Sequence, residues 1–537
     1  MKGFHGGGSE FITWYNFEKE VMVILFLRSK RKVVSLLLTV CLLMVVFVPA
    51  ASGAVPAASG GGYHTMVVKG DGTVWGWGRG GALGEGTDRS ANRTVPVQTK
   101  DINGVVAVEA GTRISVALKS DGTVWTWGDD SWGLGYGEFV TSEHPKRVEG
   151  ISGVTDIAVG GTFFTLALKA DGTVWAWGYN GEGMLGDGST DIRYTPVQVR
   201  GLTDVKAIDA GTYHSVALKK DGTVWAWGDN IFGTLGTGSS GNVLTPEQVR
   251  GLTGVVAVAA GGRYTLALKG DGTVWAWGQG VSDMLPGAVV TTRTTPTQIP
   301  GLSNVAAIVA GESHSLFLKN DGTVWAWGSN QDGQLGTGSK AVEAPWKEKS
   351  PKQVLGLSNV SAVSTGGFAG GVFSMAMVPD QSGKIVLRIG QPTARIGGVD
   401  LYAWGENDNG QLGDGSTALR TTPVKVPVDL TPVIPVDVPP FIEGGRTLVP
   451  LRFIGEQLGA AIDWDGATQK ITYTKGDTTV ILWIGKNTAE VNGQSMTLEA
   501  PPKIIDGRTL VPLRFVGEAF GAGIEWEGST QSITLTP

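Results

Sequence analysis

The octapeptide DGTVWAWG stands at 171–178 and returns letter for letter from 221, 271 and 321, with near copies from 71 (DGTVWGWG) and 121 (DGTVWTWG). Each copy starts 50 residues after the one before. A fixed period of this length means one supersecondary unit repeated, each unit burying its apolar face against the next. The unit is legible in VVAVAAGGRYTLALKGDGTVWAWG (255–278). LALK and TVWAW alternate as strands do, and VVAV is a third strand. Asp-Gly between the first two predicts a tight hairpin turn with both residues at positive φ. TPEQV (245–249) leads toward a fourth strand. Four short strands per period describe a propeller blade and not a helical solenoid. The 83 glycines and 19 tryptophans fit many short strands joined by turns.

Seven units are counted. Six carry Asp-Gly-Thr-Val-Trp, and the seventh, GGVDLYAWGENDNGQLGDGS (397–416), is degenerate, with Trp404 in the place of Trp327. It stands 77 residues on, so extra residues are spread over KAVEAPWKEKSP and PDQSGKIVLRIGQPTARI. AVPAASGG (54–61) is a poor first strand and TTPVKVPV (421–428) is left over, so pairing of these two is expected to close the ring without a free edge. Trp175, Trp225, Trp275 and Trp325 are expected to be buried between blades.

A different repeat follows. VPVDLTPVIPVDVPP (426–440) reads as an extended, Pro-rich linker, assigned to 429–440. Beyond it GGRTLVPLRFIGEQLGAAIDWDGATQKITYT (444–474) is echoed 62 residues later by DGRTLVPLRFVGEAFGAGIEWEGSTQSITLT (506–536). Each copy reads as a strand, a short amphipathic helix and a hairpin. The expected fold is therefore mostly β: a seven-bladed β-propeller over 55–428, the linker, and a small α+β carboxy-terminal module over 441–537 with two internal repeats.

Residues 1–54 are set apart. The basic cluster RSKRK (28–32), the apolar run VVSLLLTVCLLMVVFV (33–48) and the small residues PAASGA (49–54) have the order of a secretory signal peptide. What precedes the cluster fits no part of one and reads as disordered or as a wrongly chosen start, with Met22 the better one. Cys41, the one cysteine, lies inside the apolar run. Cleavage near Ala50 or Ala54 leaves an exported chain without disulfides. The expected location is secreted or cell-surface, in a bacterium, with membrane contact only through the signal segment if it stays uncleaved.

The unit AGxxHSxALKxDGTVWAWGxNxxGxLG resembles the repeat of the regulator of chromosome condensation family, in its bacterial, alpha-tubulin-suppressor-like form. The resemblance covers about 55–428 and implies the seven-bladed propeller. It extends to secreted propellers of this family that inhibit β-lactamases by holding a protein partner on one face. The doubled RTLVPLRF core resembles the amino-terminal domain of copper amine oxidases, over about 438–537. In those enzymes metal and redox cofactor belong to a separate catalytic domain. The segment 438–537 here has neither His nor Cys, the ligands copper requires, so no metal or other cofactor is expected.

Candidate binding residues are those that vary on the repeated frame. His64, His214 and His314 share one position of the repeat with Ile114, Phe164 and Tyr264, and with Phe373 in the seventh unit. A position that takes His, Ile, Phe and Tyr is no repeated acid–base site. It is a packed residue at the start of an inner strand or a contact residue near the central channel. The residue before it varies further: Tyr63, Arg113, Phe163, Tyr213, Arg263 and Ser313. A second variable set follows Trp-Gly and includes Arg79, Asp129, Trp132, Tyr136, Tyr179, Asn230, Phe232 and Asn330. Tyr, Trp, Phe and Arg are favoured at binding hot spots. The expected binding set is Tyr63, His64, Arg113, Phe163, Phe164, Tyr213, His214, Arg263, Tyr264 and His314 on one face, with Trp132 and Phe232 from the outer loops. No nucleophile elbow, phosphate loop or zinc helix occurs, so no enzyme is expected. A formal net charge of −6 with no long basic run argues against nucleic acid. The expected function is an exported, monomeric, non-catalytic scaffold whose propeller binds an extracellular protein, or a cell-wall glycan, while the module serves cell-surface association or spacing. Two alternatives stay open: a carbohydrate-binding lectin or wall-acting enzyme, and a structural surface spacer.

Overall fold

The computed structural model describes residues 57–86, 91–129, 132–161, 164–281, 292–341, 350–366, 372–380 and 382–537. The export signal read at 28–54 lies outside them. The chain is mostly β, in four-stranded antiparallel sheets that succeed one another along the sequence. In the first, Ala57–Gly60, His64–Val68, Val74–Gly78 and Arg93–Gln98 lie side by side. The same order returns at 105–147, 154–198, 205–248, 255–298 and 305–353. A last such sheet takes Ala362–Gly366, Phe373–Pro379, Val399–Gly405 and Arg420–Lys425. These are propeller-type repeats, one sheet for each period.

The octapeptide is the turn and third strand of its sheet. The turn differs from the two-residue hairpin expected. In the first sheet the Lys69 amide donates to Thr73 O and the Gly72 amide to Lys69 O, both at 2.9 Å. Only the glycine takes positive φ, +76° at Gly72, which makes a three-residue loop closed by a left-handed glycine. Asp71 instead braces the turn from its side chain, where Oδ1 accepts from the Thr73 amide at 3.0 Å and hydroxyl at 2.6 Å. Gly72 O then accepts from the Val105 amide of the next sheet at 3.1 Å, and the turns at Gly122, Gly172, Gly272 and Gly322 tie neighbours together in the same way.

The paired tryptophans share one face of the strand but not one depth. Trp227 is fully buried among Phe164, Leu166 and Met184 of the preceding sheet, and its Nε1 donates to Met184 O at 2.7 Å. Trp77, Trp127, Trp177, Trp277 and Trp404 do the same in their sheets. The first tryptophan of each pair is half-buried at the turn end, beneath a lysine: Lys69 Nζ lies 3.9 Å over Trp75 and Lys319 Nζ 4.4 Å over Trp325. Burial between sheets thus belongs to the second tryptophan, not to Trp175, Trp225, Trp275 and Trp325, because the strand dives under the outer loop as it leaves the turn.

Closure likewise differs in kind. Ala57–Gly60 pairs with His64–Val68, and Arg420–Lys425 with Val399–Gly405, so the two chain ends do not pair with each other. First and last sheets meet by packing instead. Val67 and Trp77 join Phe373, Met375 and Leu401 in one core, and Trp77 Nε1 and Thr65 Oγ1 both donate to Gln411 O at 2.8 Å.

The carboxy-terminal module has a pseudo-two-fold axis. Its halves are related by the 62-residue shift, and the axis passes through the paired Val449 and Val511. Each half has a hairpin, a helix (α1, Leu451–Gln457; α2, Leu513–Ala519) and a five-stranded sheet. In the first half all five strands are consecutive, from Ala461–Asp465 to Gln494–Thr497. The second half has only Gly523–Glu527 and Ser532–Thr536 after its helix. Its other three strands come from earlier in the chain: Ile385–Arg388, Thr393–Ile396 and Val433–Pro435. IVLRIGQPTARIGG (385–398) matches VILWIGKNTAEVNG (480–493) at six of fourteen positions and occupies the equivalent register. Ile385, Leu387 and Ala394 are buried in the module core beside Ile533 and Leu535.

The chain therefore enters the module, returns to complete the last propeller-type sheet with Val399–Gly405 and Arg420–Lys425, and enters the module again. The residues read as propeller insertion at 384–396 are module strands. The segment read as a free linker at 429–440 is tied down: Val433–Pro435 is an edge strand, where proline costs no ladder bond, Leu430 and Val436 are buried, and Asp429 pairs with Arg395 at 2.5 Å.

Candidate partner-binding face

Two positions of each unit meet at one end of the second and third strands. The Arg79 amide donates to Tyr63 O, Asp129 to Arg113, Asp229 to Tyr213, Gln279 to Arg263 and Ser329 to Ser313, all at 2.8–3.0 Å. The strand proper begins one residue later. Tyr63 and Tyr213 are therefore half-exposed, and Arg113 and Arg263 exposed, on one face of the sheets. Phe163 lies outside the described residues.

The second residue of each pair points the other way and is a correction to the expected binding set. His64, Phe164, His214, Tyr264 and His314 are buried between sheets. His64 Nε2 meets Ser115 Oγ of the next sheet at 2.8 Å, and that hydroxyl spends its proton on Ala82 O. The imidazole must then donate from Nε2, which assigns a neutral ring with bare Nδ1. His214 with Thr265, and His314 with Ser374, repeat the arrangement. Burial holds these rings down, to about 3 for His64 and His314 and about 4 for His214. Tyr264 fills the same role, its hydroxyl 2.7 Å from Ser315 Oγ. The position takes His, Tyr, Ile or Phe because each spans the gap to the next sheet.

The outer-loop residues come to the same face. Trp132 stacks on Tyr179 with centroids 5.3 Å apart and lies 6.1 Å from Phe139. The Arg263 guanidinium sits 4.6 Å above the Phe232 ring. The inner and outer sets form one surface, because each loop leans over the next unit's strand end. Phe139 and Ile231 add apolar side chains more than 60% exposed. Tyr213, Arg263, Glu312 and Gln279 line a depression of about 400 Å³. Asn230 and Asn330, read as variable contacts, are loop staples: the Asn230 side chain accepts from the Leu235 amide at 3.1 Å and donates to Ser239 O at 3.1 Å. Tyr136 is half-buried, its hydroxyl on Thr126 O.

Sequence reading missed one feature, although a charge within VVAVEA, VTDIAV and VKAIDA marks it. Glu109, Asp156 and Asp209 stand on first strands, Glu109 and Asp209 around a channel of about 250 Å³. Ser59 Oγ donates to Glu109 Oε2 at 2.8 Å, and Asp209 accepts from the amides of Ala210 and Ala260, each at 2.8 Å. Burial, working against the hydrogen bonds these carboxylates accept, pushes Glu109 up to about 8, Asp156 to about 7 and Asp209 to about 6, and repulsion from neighbouring carboxylates adds to the rise at Glu109 and Asp156. Between an unfolded value near 4 and these values the folded chain holds more protons, so stability falls as pH rises through that window, by roughly 1.4 kcal/mol per unit of raised affinity. The three buried imidazoles, neutral in the fold, work the other way below their unfolded value near 6.5, so the melting midpoint of the full chain is expected to fall from about pH 6.5 to pH 8, with that slope flattened in Glu109→Gln. A flat profile, or an unchanged slope in that variant, contradicts this. Among the described residues no group of three or more His, Cys, Asp or Glu could hold a metal ion.

The model of the RCC1-like domain matches residues 38–376, that of the regulator of chromosome condensation (RCC1) repeat 400–437, and that of the copper amine oxidase N-terminal domain 428–535. Among curated proteins the chain is similar to a protease inhibitor of Brevibacillus choshinensis, 33% identical over 85 residues, and to a primary amine oxidase of Klebsiella aerogenes, 32% identical over 88 residues. Each match takes 16% of this chain and only 26% and 12% of those proteins. Among solved structures it is similar to Prp20p from Saccharomyces cerevisiae, described with its binding to Gsp1p and histones. That match has 25% identity and a TM-score of 0.51, and covers 60% of this chain and 81% of that one. With more than half of its length matched by one family model on sheets of the propeller type, the chain belongs to the RCC1-like domain family and carries a copper amine oxidase N-terminal domain at its carboxy terminus.

Proposed function

We propose that this chain is an exported bacterial binding scaffold: a seven-bladed propeller that holds an extracellular protein on the face bearing Tyr63, Arg113, Trp132, Tyr213, Phe232 and Arg263, with the module serving cell-surface association. The observation that carries the reading is the contact of both variable sets on one surface, Arg263 over Phe232 and Arg79 over Tyr63, with Trp132 stacked on Tyr179 beside them. Aromatic and arginine side chains on a rigid frame lose little entropy on docking, and they dominate hot spots. The protein partners named for Prp20p are in keeping with it. The buried neutral imidazoles and the capped turn aspartates serve the packing and the turns, which leaves the reading non-catalytic.

The test is capture from host culture fluid and wall extract on immobilised full chain. Replacing Trp132, Phe232 and Arg263 together by Ala is expected to leave melting within about 1 kcal/mol of wild type and to weaken the captured partner by more than about 2 kcal/mol. Equal retention by the triple variant contradicts the assigned face.

A further inference from the structure

We infer that the carboxy-terminal module carries two equivalent sites for a polysaccharide chain, one built around Trp526 and the other around Trp464. The inference deepens the surface-association role proposed above and rests on it, but is independent of the propeller face. A groove of about 610 Å³ runs between the module's halves. The first half contributes Ile442 and Arg446 from its hairpin, and the second contributes Arg514 and Phe515 from α2 and Trp526 from the strand behind it. The 62-residue shift returns the same residue types around the axis: Ile504, Arg508, Arg452, Phe453 and Trp464.

Retention of core residues in a duplicated fold needs no ligand. Ile462, Ile524, Phe453 and Phe515, packed in or on the core, are of that kind. The hairpin isoleucine and the tryptophan of each half are not: Ile442, Ile504, Trp464 and Trp526 are 46, 47, 39 and 45% exposed. Exposed large apolar residues that recur in both halves mark a surface with a use. Both indoles also take one pose, with Nε1 at 3.6 and 3.5 Å from where a Cβ on Gly466 and Gly528 would stand.

The chemistry around the indoles selects the ligand class. A half-exposed indole plate beside an isoleucine suits the apolar face of a pyranose ring. Three of the rim's four arginines are paired: Arg446 with Glu499, Arg514 with Glu518 at 3.9 Å, and around the axis Arg508 with Asp437 at 3.4 Å. Paired rims cancel the long-range field that would draw a charged ligand, while offering fixed donors and acceptors to hydroxyl and acetamido groups. Two copies of one site fit a ligand that itself repeats, since weak sites on a single polymer reinforce each other through effective concentration.

Co-sedimentation of the full chain with protease-treated, insoluble peptidoglycan, and titration with soluble hexasaccharides of N-acetylglucosamine and of glucose, test the inference. Wild type is expected to sediment and to bind at least one hexasaccharide. Trp526→Ala and Trp464→Ala should each weaken retention on the wall by about tenfold and the double variant by about a hundredfold or more, with Trp→Phe restoring part. A double variant with unchanged circular dichroism and melting that sediments like wild type overturns the inference and leaves surface association standing. Wild type that binds neither wall nor hexasaccharide overturns both. Retention only on walls not treated with protease assigns the grooves to a protein and overturns the polysaccharide.

Discussion

Trp227→Ala is expected to lower the stability of the propeller by about 3–5 kcal/mol, the cost of emptying a fully buried indole site. The indole fills the gap between its own sheet and Met184, Leu185 and Val199 of the one before. Gly186, at φ +65°, lies against Nε1, and any side chain there would meet the ring, so the wall is shaped to the tryptophan. Met184 O keeps a donor in the variant, because Ser215 Oγ also reaches it at 2.8 Å, and the loss is then one of packing and cavity. Trp225→Ala, two residues away, should cost only about 1–2 kcal/mol, since that ring is half-buried under Lys219. Denaturant melts of the two variants check the order. Equal losses, or a larger one at Trp225, contradict the assigned depths.

Leu387→Asp is expected to unfold the carboxy-terminal module although it lies between strands of the last propeller-type sheet. Leu387 is fully buried, pairs with Ile533 and Ala394, and stands where Leu482 stands in the other half. A carboxylate there has no partner, and an unpaired buried charge costs several kcal/mol, a large fraction of the stability of a domain. Limited proteolysis should clip the variant within 441–537 while a fragment containing the earlier sheets survives. In wild type, 429–440 should resist cleavage. A wild-type chain cut readily there, with both parts still folded, would restore the free linker.

How far these features can be read from the sequence depends on whether the pattern or the third dimension decides them. The 50-residue clock and the Asp-Gly turns place the strands, because alternation and turn chemistry are local. Depth is not local: Trp225 and Trp227 look alike on paper, and only the outer loop of the preceding unit distinguishes them. The pairs at 63–64 and 213–214 fail for the same reason, since one residue of shift between loop and strand sends a side chain to solvent or to core. The strands at 385–396 carried a usable signal in their match to 480–493. It lies at an offset of 95 residues, which neither the 50- nor the 62-residue repeat reveals. The carboxylates of the channel were visible as charges in apolar strands, but their meeting required the ring.

Differential hydrogen exchange of the full chain, free and bound to the species it retains from culture fluid or wall, tests the central claim most directly. The account predicts added protection in peptides spanning 132–139, 179–182, 229–235 and 262–264, with none at the Asp-Gly turns of the opposite end. Protection centred on those turns, or no retained species at all, contradicts a propeller that works by holding a protein on the Trp132–Arg263 face.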